Sequence, residues 1–191
     1  MRAIGYLTLL LTLTAPAAAF AEGPYQVEML LLRQNTVPAV TSPFAPENWS
    51  AGAARLTPDA ERPLALADEA TRLEATADYT VLVHKAWQQQ VGSEPSRIAL
   101  GTGEEQFGHF PIEGNLSIAE GRFTRIDANF WVNELDGNGS VLRSEQFKQS
   151  NSNVKNGQLT FLDGGHLALL IKVAPVGMRK PPMPDPEMME Q

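Results

Sequence analysis

The second half of this chain is divided by glycine, asparagine and aspartate into runs of strand length, and that punctuation leaves few folds open to it. Runs at 112–119, 122–135, 141–151, 158–162 and 167–174 are separated by Glu120-Gly121, Asp136-Gly137-Asn138-Gly139, Asn156-Gly157 and Asp163-Gly164-Gly165. These residues accept the positive φ that tight hairpin turns need, so the spacing predicts an antiparallel meander. Within 122–135 one face reads Thr124, Ile126, Ala128, Phe130 and Val132, a core face. The other reads Phe123, Arg125, Asp127, Asn129, Trp131 and Asn133, rings alternating with hydrogen-bonding groups.

The first half adds the rest of the fold. The stretch 25–32 alternates Tyr25, Val27, Met29 and Leu31 with Gln26, Glu28, Leu30 and Leu32, which predicts a strand with Glu28 half exposed. The stretch 79–90, YTVLVHKAWQQQ, is mostly apolar on both faces through Leu82, which suits a strand in the middle of a sheet. The final run, 167–174, is apolar on both sides except for Lys172 and is expected to lie centrally as well. Between the first two strands, Leu66, Ala70, Leu73 and Ala77 recur at helical spacing behind Pro63, predicting an amphipathic helix over 64–77. Residues 34–63 carry prolines at 38, 43, 46, 58 and 63 and read as a long surface excursion, in which Trp49 either pins the loop to the body or faces a ligand. The expected fold class is α+β: a mostly antiparallel sheet of about seven strands with one principal helix and a C-terminal β-meander.

Composition then bounds location and partners. Arg2, the apolar run 4–13 and the small-x-small site Ala19-Phe20-Ala21 read as a signal peptide over residues 1–21, placing the product in the periplasm with Glu22 as its first residue. The run is too short for a membrane anchor. A single domain over 22–175 follows from the 191-residue length and 43% hydrophobic content, and the proline- and methionine-rich stretch 176–191 reads as a disordered tail. There is no cysteine, so the core alone must hold the fold. The formal charge is −7, or −8 once Arg2 is removed, which argues against nucleic acid or anionic lipid as a partner.

Catalytic patterns are not evident. The chain shows no cysteine nucleophile, Gly-x-Ser-x-Gly elbow, phosphate loop or His-x-x-x-His pair, and His84, His109 and His166 fall on separate segments. The expectation is a non-enzymatic protein with no catalytic residues, metal or cofactor. Two places suit a ligand: the end of the 79–90 strand, with His84, Trp87, Gln88 and Gln89, and the mixed face with Phe123, Arg125 and Trp131. Sugar faces stack on rings while hydroxyls and amides need donors and acceptors, so such a mixture fits a glycan or peptide. The same rings would equally serve as a seat for the helix or the excursion.

These segments also resemble a known family. YTVLVHKAWQQQ, the opening YQVEMLLLRQ, Glu113-Gly114-Asn115-Leu116-Ser117-Ile118, Gly121-Arg122-Phe123, Asn129-Phe130-Trp131 and Gly157-Gln158-Leu159-Thr160-Phe161-Leu162-Asp163 occur in the order of the CsiV family of peptidoglycan-binding proteins. The resemblance implies a periplasmic, non-enzymatic protein of Gram-negative bacteria that binds peptidoglycan and supports murein synthesis. An alternative is an interaction module that binds a murein synthase or its outer-membrane activator without touching the wall. The chain departs from the family's basic stretch, carrying Ser150-Asn151-Ser152-Asn153-Val154-Lys155, and has Thr124-Arg125 where the family prefers an aliphatic residue and a histidine.

Overall fold

The computed structural model describes residues 23–177; the predicted signal peptide and residues 178–191 of the predicted tail lie outside them. The elements in chain order are β1 (Gly23–Gln34), β2 (Ala54–Arg55), a 3-10 turn at Pro58–Ala60, α1 (Ala67–Glu74), β3 (Tyr79–Val91), β4 (Ser96–Thr102), β5 (Ile112–Ala119), β6 (Thr124–Leu135), β7 (Val141–Val154), β8 (Leu159–Asp163) and β9 (Leu167–Pro175). They form a four-stranded sheet in the order β3-β1-β9-β8 and a five-stranded sheet in the order β2-β4-β5-β6-β7. All pairings are antiparallel except β2 with β4.

The expected sheet of about seven strands is therefore corrected to nine strands in two sheets among the described residues. The predicted meander breaks at Asn156-Gly157, where β7 ends in one sheet and β8 begins in the other. Asparagine and glycine specify a reversal there but not which layer the chain enters next. The inward faces of both sheets meet in one core: Val27, Met29 and Leu31 of β1, Trp87 of β3, Leu116 and Ile118 of β5, Ile126 and Phe130 of β6, Phe147 of β7 and Ile171 of β9.

The second face of β1 explains its double apolar pattern. Leu30 and Leu32, with Ala168 of β9, pack against Leu66 and Ala70 of the helix, so β1 is covered by the other sheet on one side and by α1 on the other. The central position expected for the last strand holds, since β9 lies between β1 and β8. The 79–90 strand, in contrast, is at an edge. Its polar end faces chain rather than a neighbouring strand: Arg62 N donates to Ala86 O at 2.8 Å, and Glu61 bridges to Trp87. A partly covered edge buries a strand much as a central position does, which is why the pattern misleads.

The helix is shorter than the predicted 64–77 and has no side-chain cap of its own. Glu28 supplies one from β1. Its Oε1 accepts from Leu66 N at 2.8 Å and Ala65 N at 2.9 Å, and Oε2 also accepts from Ala65 N at 2.9 Å. Carboxylate charge is favourable at a helix start, where backbone N–H groups lack partners. Glu28 is 3% exposed, not half exposed as the alternation suggested.

Candidate functional site

The outer face of the five-stranded sheet is polar, and its rows follow from register. One row runs Arg97, Ser117, Asp127, Ser150 across β4 to β7, and the next runs Ala99, Asn115, Asn129, Lys148. Continuing along β6, Trp131 is opposite Glu113 and Gln146.

The excursion covers the Trp131 half of this face. Ser42 N donates to Ser144 O at 2.8 Å, and Leu56 N donates to Ala99 O at 3.0 Å, fixing both ends of the covering segment to the sheet. Between them Ala45 and Trp49 pack with Ala99 and Trp131, and Trp49 meets Phe110 edge to face at 6.1 Å. Trp49 Nε1 donates to Gly108 O at 3.2 Å, so this ring pins the loop. Trp49 and Trp131 are each 5% exposed. Of the two uses open to the Trp131 face, a ligand surface or a seat for the excursion, the structure shows the seat: burying the two indoles outweighs leaving either in water.

The uncovered half is a groove of about 340 Å³, walled by Ala51 on the excursion and Pro95 before β4. Arg97, Arg125 and Lys148 bring positive charge to it, against the carboxylate of Asp127. Arg125 Nε is 3.6 Å from Asp127 Oδ2, both half exposed. Among the described residues Arg97 and Lys148 have no carboxylate within ion-pair distance. A locally positive groove on a chain of charge −7 concentrates anions at that spot. Its floor offers neutral hydrogen-bonding groups. Asn115 Nδ2 donates to Trp49 O, while its buried Oδ1 has no protein partner. Asn129 Oδ1 accepts from Gln146 Nε2 at 2.8 Å.

The residues singled out from sequence separate into five places, Trp131 lying beneath the excursion as described. Arg125 lines the groove. Phe123, 44% exposed, lies in the turn before β6 with the Arg122 guanidinium 5.6 Å from its ring centre. Trp87 is fully buried between the sheets, its Nε1 donating to Gln89 Oε1 at 2.7 Å, and Gln89 Nε2 in turn donates to Ser96 Oγ at 3.1 Å. Gln88 and His84 face the helix side, Gln88 accepting from Arg62 at 2.9 Å and His84 Nε2 lying 2.8 Å from Glu28 Oε1. The cluster expected at the end of the 79–90 strand is therefore split between two faces, and none of its four residues lines the groove.

Arg97, Asn115 and Lys148 also line the groove, each on the polar phase of its strand, which alternation alone does not single out as a site. Equally hidden was a common arrangement of the histidines: each meets a buried glutamate, His84 with Glu28, His109 with Glu113 at 2.8 Å, and His166 with Glu145. Glu113 is fully buried and also accepts from Phe110 N at 3.0 Å and Asn133 Nδ2 at 2.9 Å, which holds the β4–β5 connection against the sheet.

No helix among the described residues is long and apolar enough to cross a membrane. Neither the curated proteins nor the solved structures compared with this chain give a match. The resemblance carried by the strand motifs is upheld by a family model described as "Peptidoglycan-binding protein, CsiV", which matches residues 4–176, and the chain belongs to that family.

Proposed function

We propose that this is a non-enzymatic periplasmic protein that binds peptidoglycan through the groove on β4 to β7 and thereby supports murein synthesis. The observation that carries this reading is the placement of Arg97, Arg125 and Lys148 around asparagine and serine groups in one open cleft of an otherwise acidic chain. Peptidoglycan presents carboxylates, amides and hydroxyls together, and such a lining complements all three. Among the described residues Asp127 is the one carboxylate lining the groove, and it is engaged with Arg125, whereas hydrolysis of a glycosidic bond calls for two flanking carboxyl groups. The export signal read in residues 1–21 and the family's description support an envelope location.

A second reading, docking onto a synthase or its activator, is favoured by one specific feature. Phe107 is 83% exposed and held at φ +51, a conformation that disfavours a bulky side chain, and the excursion exposes Phe44 and Val40. Sedimentation with purified sacculi separates the two. The parent, from Glu22 onward, pellets with sacculi under the first reading, and an Arg125→Ala, Lys148→Ala double variant with an unchanged unfolding midpoint stays largely in the supernatant. A parent that fails to pellet at any salt concentration leaves the docking reading in its place.

A further inference from the structure

The groove's dimensions and lining indicate which part of the wall it holds. Stacking of a sugar needs an open ring face, yet Trp49 and Trp131 are each 5% exposed, and Phe123 lies outside the groove. What remains open is charge and amide chemistry. Arg97 stands on β4 and Lys148 on β7, three strand spacings apart, or about 14 Å at ~4.8 Å per spacing. Arg97 reaches toward the excursion wall, its guanidinium close to Gly52. Neither cation has a carboxylate partner among the described residues. Between them lie Asn115 and Asn129.

We propose that the groove is specific for an acidic peptide lying across the strands, one carboxylate near Arg97 and another near Lys148, with Asn129 meeting its amides. Resting on the wall-contact reading above, this makes the stem peptide of peptidoglycan the recognised element and the glycan strand a bystander. A span of about 14 Å corresponds to about four extended residues, the length of a stem peptide. The two cations at the ends reject peptides whose carboxylates are neutralised.

The test uses three forms of wall material with the same protein: intact sacculi, sacculi stripped of peptides by an amidase, and intact sacculi with free stem tetrapeptide, native or carboxyl-amidated, as competitor. Intact sacculi are expected to pellet the protein, stripped glycan to lose at least about tenfold in affinity, and only the unamidated peptide to compete. Arg97→Gln and Lys148→Gln, both at exposed positions, should each weaken pelleting by about fivefold, the scale of one accessible ion pair, with unfolding midpoints unchanged. Equal pelleting by stripped glycan, or equal competition by the amidated peptide, overturns the peptide inference while leaving wall binding standing. Failure of intact sacculi to pellet the protein overturns both.

Discussion

Replacing Glu28 by alanine probes how the helix is held to the sheet. The carboxylate is 3% exposed, accepts from the backbone N–H groups of Ala65 and Leu66, and lies 2.8 Å from His84 Nε2. Alanine leaves all three groups without that partner at a site packed beneath the helix. Each buried polar group so orphaned costs about 1–3 kcal/mol, and partial access of water from the helix side keeps the sum near the low end, about 3–5 kcal/mol. That is a large part of the ~5–15 kcal/mol holding a typical domain together, and corresponds to a melting temperature lower by roughly 10–15 °C. Urea unfolding followed by tryptophan fluorescence measures it. His84→Ala removes only one contact and should cost about 1–2 kcal/mol, and the double variant should fall short of the sum because the two residues share a bond. Because Glu28 lies on the other sheet from the groove, the folded Glu28→Ala protein should bind sacculi as the parent does. A loss below about 1 kcal/mol would show that the carboxylate does not cap the helix, and full additivity with His84→Ala would show that it does not bond the imidazole.

Further outcomes follow from other sites. Trp131→Ala should cost about 3–5 kcal/mol, the usual range for a buried tryptophan, and should hasten tryptic cleavage after Arg55 as the excursion loses its seat; unchanged cleavage would disconnect that ring from the loop. Tyr25, 2% exposed, has its phenol pushed up to about 12, first by burial and then by the neighbouring Glu120 carboxylate. A folded-state value above the unfolded 10.0 means the contribution is complete below pH 10 and is lost as pH rises through 12. The parent should thus lose about 2 kcal/mol more than Tyr25→Phe over that window in urea titrations, and parallel pH curves for the two proteins would refute it. If cations in the groove carry wall binding, pelleting should weaken steadily with added salt, and salt-independent pelleting would point to apolar contact instead.

Much of the architecture is written in local signals. Glycine and asparagine turns place the ends of β5, β6, β7, β8 and β9 within a few residues, and the proline spacing marks the excursion, because both act through the backbone of a few neighbouring residues. Layer choice is different: whether Asn156-Gly157 returns β8 to the same sheet depends on the packing of Leu162 and Leu169 into the common core. The 79–90 strand looks central because Trp87 and Val83 fill that core while the chain at Glu61 and Arg62 covers part of its edge. The candidate site was half legible. Alternation put Arg125, Asn129 and Trp131 on one face, but only the folded excursion decides that Trp131 is covered and Arg125 is open. The histidine–glutamate pairs join residues 56 and 21 positions apart in two of three cases, a separation no periodic pattern encodes.

Amide shift mapping with soluble peptidoglycan fragments tests the central claim most directly, since it reports location as well as binding. In ¹⁵N-labelled protein titrated with stem-peptide-bearing fragments, perturbations are expected along Arg97, Asn115, Ser117, Asn129 and Lys148, with the amides of β1 and α1 unmoved. Perturbations centred on the helix face around Gln88 and His84, with the β4–β7 rows silent, would contradict the assignment of the groove as the wall-binding site.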